Sequence, residues 1–248
     1  MKFDVVFSPL GLTPGEVQGR TVFVIDILRA GTVMCAALAH GARAVLPVAD
    51  TEEALRLSQT LDRDDVLLAG ERNCVRIPGF ALGNSPIEMT EAAVRGKTLI
   101  LTTTNGTRAL LATQGAQSVF VACAANLTLA GARARAAWEG DHDLLVLCAG
   151  REQRFALDDA YCAGRLIAAA IGGKRRVRGL NDSAAACLDL VRRYGDRWER
   201  PLASSQSGQD LIALGLRDDV RDSGRADAYP VLPAFQERRV TIAGERAP

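Results

Sequence analysis

The sequence is poor in histidine and in aromatic residues, and it carries almost no net charge. Its 248 residues include only two histidines, His40 and His142, so a site that needs several imidazoles is excluded. Two Trp, three Tyr and seven Phe leave few rings for stacking on bases, and a net charge of +1 lacks the basic excess of proteins that coat nucleic acids. Any chemistry must therefore depend on carboxylates, arginines, hydroxyls and backbone amides.

Long apolar runs are also missing. No stretch approaches the roughly 18 uninterrupted apolar residues of a membrane span, and Asp4 and Pro9 interrupt the N-terminus where a signal peptide needs an apolar core. The six cysteines form no close CxxC pair, which argues against a zinc site. We therefore expect a cytoplasmic protein with reduced thiols and with neither a membrane nor a nucleic-acid partner.

Short apolar runs alternate with helical patterns through most of the chain. The predicted strands are 3–7, 21–28, 43–48, 65–70, 97–103, 118–123 and 143–149. The predicted helices lie near 30–40, 51–62, 86–95, 105–114, 126–139, 158–171, 182–194 and 205–214. This alternation predicts a layered α/β/α fold with a largely parallel or mixed sheet, formed by one domain over residues 1–248.

The composition of the chain changes after about residue 195. Residues 195–209 have the composition of a loop, and residues 217–248 are polar with a weak strand pattern at 238–243. We expect a core over about 1–195, with the segment of about 196–248 packing on it as a small C-terminal lobe or strap.

Two predicted strands end in a carboxylate next to an arginine. Asp26 lies within an apolar run that finishes at Arg29, and Glu71-Arg72 follow the strand 65–70. A charge inside a buried strand is costly unless it is paired or binds a cation. Asp26 and Arg29 could form a structural ion pair, but we favour Asp26 as a metal ligand or nucleophile and Arg29 as an anion-binding group. The pair at 71–72 would look the same in an ordinary exposed turn.

Two turns have the composition of anion-binding sites. Gly79, Gly83 and Asn84 precede Ser85-Pro86-Ile87-Glu88, which fits a helix capping box, and a glycine-rich approach to a helix also presents backbone amides to a phosphate. Thr103-Thr104-Asn105-Gly106-Thr107 follow another strand directly, where a capped turn would be the alternative. The GxxxxGK[ST] loop is absent, which disfavours hydrolysis of nucleoside triphosphates.

The strand 143–149 leads into a further polar cluster. Cys148 and Arg154 have the CX5R spacing of cysteine-dependent phosphatases, and Gly150 follows the strand. Asp158 and Asp159 begin the next helix, where they could cap it, bind a metal or act as a general acid. Neighbouring residues of a helix point in different directions, so only one of the two aspartates is expected to face a site.

Taken in order, these segments resemble the 2-phosphosulfolactate phosphatase family. The matching stretches are VIDILRAGT (24–32), GER (70–72), GFALGNSP (79–86), TTTNGT (102–107), CAG (148–150), LDDAYCAG (157–164) and SQSGQDLIALG (205–215). The resemblance spans roughly residues 3–235 and departs from the family's pattern at Gln153, where the family has glycine. It implies a magnesium-dependent phosphatase acting on a small phosphorylated hydroxy acid, namely (2R)-2-phospho-3-sulfolactate, a step that in some archaea lies on the route to coenzyme M.

Within that reaction we assign roles to the residues as follows. Mg²⁺ would be held by Asp26 and Asp159 with Glu71, because this ion prefers oxygen ligands. Arg29 and Arg72 would bind the phosphate and the second anionic group, and Asp158 or Asp159 would protonate the leaving group, which predicts an acid-shifted pH optimum. The remaining substrate-binding candidates are Asn84, Ser85, Thr103, Thr104, Asn105, Gly106, Thr107, Cys148 and Gly150.

Two other functions stay open from the sequence. A cysteine-dependent phosphatase would use Cys148 as its nucleophile, and a protein that only binds anions would show no turnover. The expected partner in each case is a small anionic molecule. The apolar helices leave room for a homodimer without requiring one.

Overall fold

The computed structural model describes residues 2–13, 15–62, 64–172 and 178–244. Its strands are β1 (Phe3–Val6), β2 (Thr21–Ile25), β3 (Ala44–Pro47), β4 (Val66–Arg72), β5 (Val75–Arg76), β6 (Thr98–Thr102), β7 (Ser118–Val121), β8 (Leu144–Cys148), β9 (Pro233–Gln236) and β10 (Arg239–Ile242). Its helices are α1 (Ala30–Ala39), α2 (Thr51–Ser58), α3 (Glu91–Val94), α4 (Gly106–Leu111), α5 (Leu127–Glu139), α6 (Leu157–Ile171), α7 (Asp182–Tyr194), α8 (Glu199–Ser204), α9 (Gln206–Ala213) and α10 (Arg217–Ser223). No helix in these ranges is both long and apolar enough to cross a membrane.

The strands form one mixed sheet in the order β1-β8-β2-β7-β9-β10-β3-β6-β4-β5. Neighbouring strands are parallel within the block β1-β8-β2-β7 and within the block β3-β6-β4. The β9–β10 hairpin lies between the blocks and pairs antiparallel with β7, through Phe120 and Ala234, and with β3, through Val45 and Val240. The prediction of an α/β fold with a largely parallel or mixed sheet is confirmed.

The central elements are apolar on every side because they are buried on every side. All five residues of β2 and all five of β8 are buried. Helix α1, which follows β2, has nine buried residues of its ten, so it lacks the polar stripe of a surface helix. These two strands and this helix place Asp26 and Arg29, which lie between β2 and α1, at the edge of the hydrophobic core.

The C-terminal segment differs from the predicted lobe or strap. Its hairpin supplies two strands to the middle of the sheet, and residues 199–204, predicted as a loop, form helix α8. Pro201 suggested a loop, but it lies in the first turn of α8, where proline is tolerated because the first N–H groups of a helix have no partner within it. Helix α10 lies in the stretch that looked only polar.

Two boundaries near the strand ends also differ from the prediction. Strand β4 continues to Arg72 and pairs with β5, so Glu71 belongs to a hairpin rather than to a turn. The predicted capping box at 85–88 is wrong: Pro86–Glu88 form a 3₁₀ turn whose Ser85 side chain makes no capping bond. The Glu88 carboxylate instead accepts a hydrogen bond from the Gly83 N–H.

Candidate active site

A cleft of about 420 Å³ opens where the chain leaves β2, β4, β6 and β8, with helix α9 as its further wall. Seven of the predicted site residues line it, namely Asp26, Arg29, Glu71, Asn84, Thr103, Thr104 and Asn105. The other lining residues were not among the predicted ones, namely Leu28, Asn73, Cys74, Arg151, Glu152, Ser207, Asp210, Leu211, Ala213 and Leu214. The structure thus brings residues from both parallel blocks of the sheet into one cleft.

Asp26 follows the last residue of β2 and is 9% exposed. Its Oδ1 accepts a hydrogen bond from the Ala30 N–H at 3.3 Å. Burial, followed by repulsion from Asp158 and Glu71, raises the pKa of Asp26 from 3.8 to about 7. Gly106 packs directly against this carboxylate, since a Cβ on Gly106 would lie 2.4 Å from Asp26 Oδ2. Asp26 is therefore a confined carboxyl group that changes from its neutral to its charged form near pH 7.

Arg29 does not form the ion pair with Asp26 that was the alternative for this motif. Its Nη1 lies 2.6 Å from Asp219 Oδ2, and both side chains are almost fully buried, at 4% and 3% exposure. Its Nη2 donates to the Cys74 carbonyl at 3.1 Å, and Ser85 Oγ donates to the other Asp219 oxygen at 2.7 Å. Ser85 therefore serves this ion pair, and it is not among the residues that line the cleft.

Glu71 holds two loops together. One of its carboxylate oxygens accepts the Cys74 N–H at 2.8 Å and the other accepts the Thr104 N–H at 2.8 Å. Arg72 donates to the Glu71 carbonyl at 2.7 Å and to Thr102 Oγ1 at 2.9 Å. Arg72, predicted to bind an anion, is not among the residues that line the cleft.

Asp159 holds two further loops in the same way. Its Oδ1 accepts the Ile27 N–H and its Oδ2 accepts the Gly150 N–H, each at 3.0 Å. Burial and the charges of Asp158 and Asp26 raise the pKa of Asp159, against these two hydrogen bonds. Gly150 thus supplies its amide to Asp159 and does not line the cleft.

Asp158 is the second residue of α6 and lies near Ser205 and Ser207. Burial raises the pKa of Asp158 from 3.8 to about 6, and the two serine hydroxyls partly offset this effect. Its Oδ1 is buried and has no hydrogen-bond partner among the described residues. The two aspartates have different neighbours, as adjacent helical residues should, but neither is among the residues that line the cleft. Asp158 is the one that keeps an oxygen without a partner in the described structure.

The turn after β6 is closed by its own hydroxyls. Thr107 donates its N–H to Thr103 Oγ1 and its Oγ1 to the Thr103 carbonyl, both at 3.2 Å. Thr107 and Gly106 are consequently buried behind the cleft, whereas residues 103–105 line it. Thr104 Oγ1 and Asn84 Oδ1 are buried without a partner in the described structure. These two residues line the cleft, so a ligand could satisfy both atoms, whereas Asp158 Oδ1 lies beside Ser207 and outside the lining.

The geometry argues against a thiolate at Cys148. This side chain is 1% exposed at the end of β8, and burial raises the pKa of the Cys148 thiol well above its usual range. Arg154, the arginine of the CX5R spacing, is exposed, and neither residue is among those lining the cleft. A phosphate-binding loop of that type needs both groups on the phosphate.

Two of the three predicted magnesium ligands are engaged by backbone groups. Both Glu71 and Asp159 already use each carboxylate oxygen to accept an N–H group. Within the described ranges, no three His, Cys, Asp or Glu side chains converge as a metal site. Asp26 and Glu71 both line the cleft, and Asp26 Oδ2 makes no hydrogen bond to the described residues. Mg²⁺ often binds through one or two protein oxygens and completes its shell with water and phosphate, so the donors present still fit this ion.

The charges around the cleft favour a cation as well. Four carboxylates line it, from Asp26, Glu71, Glu152 and Asp210, against two guanidinium groups, from Arg29 and Arg151. An anionic substrate would meet net repulsion here unless a cation offset it. The lining therefore includes oxygen atoms without partners in the described structure, from Asp26 and Asn84, that could hold a cation beside an anionic molecule.

Comparison with known proteins assigns the family. The family model described as 2-phosphosulpholactate phosphatase matches residues 3–238. A probable 2-phosphosulfolactate phosphatase of Caldanaerobacter subterraneus subsp. tengcongensis is 46% identical over 89% of this chain and 90% of its own length. Proteins with the same description from Symbiobacterium thermophilum and Clostridium novyi are 39% and 33% identical, covering 92% and 97% of this chain and 96% and 100% of their own lengths. The chain belongs to the 2-phosphosulfolactate phosphatase family, whose members are phosphoric monoester hydrolases.

Several site residues carried weak signals in the sequence. Ser207 and Asp210 lie in the stretch 205–215, which matched the family but otherwise had the composition of caps and turns. Asp219 lies beside Asp218 in a polar stretch of the sequence, yet it is 3% exposed and pairs with Arg29, 190 positions away. Asp210 likewise contacts Arg151, which is 59 positions away.

Proposed function

We propose that this protein is a magnesium-dependent phosphatase that hydrolyses 2-phospho-3-sulfolactate, or a closely similar phosphorylated hydroxy acid, to the hydroxy acid and phosphate. The observation that supports this most is the confined Asp26 carboxyl group, which shares its cleft with the unpaired Asn84 Oδ1, with three other carboxylates and with two arginines. The family relatives, which are described as probable 2-phosphosulfolactate phosphatases, support the same substrate.

Asp26 and Asn84 are the residues that would hold Mg²⁺, with water and the substrate's phosphate as the other ligands. Of the predicted set we keep Asp26, because its Oδ2 makes no hydrogen bond to the described residues, whereas each carboxylate oxygen of Glu71 and Asp159 accepts a backbone N–H. When bound, Mg²⁺ offsets the carboxylate excess and withdraws electrons from the phosphoryl group.

The residues of the chain then have separate tasks. Glu71 and Asp159 fix the loops that carry Thr104, Ile27 and Gly150, so the cleft is shaped before the substrate arrives. Asp158 acts as the proton donor to the leaving oxygen, since burial raises its pKa to about 6 and one of its oxygens is free. Ser207 lies beside Asp158 and lines the cleft, so its hydroxyl can relay the proton from Asp158 to the leaving oxygen. An acid-shifted pH optimum remains the expectation.

A metal-titrated phosphatase assay tests this function. We expect protein dialysed against EDTA to be inactive on 2-phospho-3-sulfolactate and added Mg²⁺ to restore turnover. Cys148→Ser should keep the wild-type rate, because the buried thiol lies outside the cleft. Activity that resists EDTA and disappears in Cys148→Ser would establish the cysteine mechanism instead. Thermal stabilisation by phosphate or sulfonates without any turnover would identify an anion-binding protein.

A further inference from the structure

The cleft has one guanidinium group whose partner can be exchanged. Arg29 is held by the buried Asp219, and Arg72 is turned towards Thr102. The remaining arginine on the cleft wall is Arg151, which follows Gly150 in the loop between β8 and α6. Its side chain is 29% exposed, so it faces the open part of the cleft rather than the core.

The backbone that carries Arg151 is firmly held. Arg151 and Arg154 exchange two backbone hydrogen bonds, at 3.1 and 2.9 Å. Gly150 has a φ of +67°, and a Cβ on it would lie 2.3 Å from the Arg154 carbonyl oxygen and 2.7 Å from that of Phe7. Because the Gly150 N–H also binds Asp159, the base of the Arg151 side chain has a fixed position relative to the proposed reaction centre.

Among the described residues, the carboxylates that hold the Arg151 guanidinium group are exposed. Its Nη2 lies 2.7 Å from Asp210 Oδ2 on α9, and its Nη1 lies 3.5 Å from Glu152 Oε1. The Asp210 and Glu152 side chains are 44% and 69% exposed, whereas the Asp219 side chain on Arg29 is 3% exposed. Ion pairs with this exposure contribute little free energy, so another anion can replace these carboxylates.

We propose that Arg151 is a specificity-determining residue that binds the acid group which the substrate carries besides its phosphate. On binding, the sulfonate or carboxylate takes the place of Asp210 on the guanidinium, whose planar fork of donors suits a group with two or more oxygens. Asp210 then acts as a competitor that keeps Arg151 extended across the cleft when no substrate is bound. This inference rests on the proposed phosphatase function and goes beyond it by naming the group that selects the substrate.

The test compares two phosphomonoesters, 2-phospholactate, which has a second acid group, and phenyl phosphate, which has none. The measured quantity is the kcat/KM for 2-phospholactate divided by the kcat/KM for phenyl phosphate. We expect Arg151→Gln to lower this ratio by about ten- to a hundredfold, through a higher KM for 2-phospholactate, because a hydrogen bond to a charged group is lost. Arg151→Lys keeps the charge but loses the planar set of guanidinium donors. Its kcat/KM ratio should lie between those of Arg151→Gln and the wild type. Arg154→Gln, on the same loop but exposed and away from the cleft, should keep the wild-type ratio.

Asp210→Asn gives a second and opposite readout. Removal of the competing charge should raise the ratio, through a lower KM for 2-phospholactate. The inference is overturned if Arg151→Gln and Arg151→Lys lower both kcat/KM values by the same factor or leave the ratio unchanged. It is also overturned if Asp210→Asn lowers the ratio. A wild-type protein that hydrolyses neither ester nor 2-phospho-3-sulfolactate would contradict the proposed function itself, which separates the two failures.

Discussion

Asp26→Asn should make the metal-free protein more stable at pH 8 while it lowers phosphatase activity by roughly a thousandfold or more. Activity falls because the amide can neither bind Mg²⁺ as a carboxylate does nor carry the charge next to the phosphoryl group. Stability rises because a buried carboxylate, repelled by Asp158 and Glu71, is replaced by a neutral group of the same shape. The amide oxygen can still accept the Ala30 N–H.

The sign of the pH dependence follows from the raised pKa. Asp26 has a pKa of about 7 in the folded protein against 3.8 as its ordinary value, so between these values the folded state binds a proton that the unfolded chain has released. The free energy of unfolding therefore falls as the pH rises from about 4 to about 7. At pH 8 Asp26 is charged in the folded protein, and the free energy of unfolding is lower by on the order of 2–4 kcal/mol for a pKa shift of this size.

Thermal unfolding in EDTA at pH 6 and pH 8 measures this effect. The wild type should lose stability between the two pH values, and Asp26→Asn should lose less and unfold several degrees higher at pH 8. Asp218→Asn, at an exposed position, is the matched control and should follow the wild type. Mg²⁺ should then stabilise the wild type at pH 8 but not Asp26→Asn. Full activity in Asp26→Asn, or a variant less stable than the wild type at pH 8, would contradict the assigned role.

The parts of the fold that follow from local pattern were predictable from the sequence. Strands such as Leu144–Cys148 are uninterrupted apolar runs, and Asp26 stands out because a charge directly follows such a run. Ligands of parallel α/β sheets bind beyond the ends of strands, which makes Asp26 and Thr103 candidates for one site. Both residues line the same cleft.

The contacts made over long sequence distances were not predictable. Val240 pairs with Val45, so the last strand of the chain enters the middle of the sheet, and a weak strand pattern at 238–243 does not reveal its neighbour. The roles of the carboxylates were hidden for a related reason. A buried Asp or Glu at a strand end can bind a metal or accept backbone N–H groups, and the same residue types serve both purposes. The distances show that Glu71 and Asp159 accept backbone N–H groups, a role that the sequence did not reveal.

Asp219→Ala should destabilise the protein by about 3–5 kcal/mol, which corresponds to a fall in Tm of roughly 10 °C, because it leaves the buried Arg29 charge uncompensated. Ser85 Oγ would lose its acceptor in the same variant. Asp218→Ala, in the neighbouring position, removes only an exposed pair with Arg221 at 3.1 Å and should cost less than about 1 kcal/mol. Urea unfolding of the two variants beside the wild type measures the difference.

The double variant Arg29→Met/Asp219→Leu separates the ion pair from the packing of its side chains. An apolar pair of similar volume removes both charges together, so we expect it to recover most of the stability that Asp219→Ala loses. Activity should not recover, because Arg29 lines the cleft and its charge would be gone. If Asp219→Ala proved no less stable than Asp218→Ala, the Arg29–Asp219 pair would not be the buried link between α1 and α10 that the 2.6 Å contact indicates. If the double variant were stable and fully active, Arg29 would have a structural role alone.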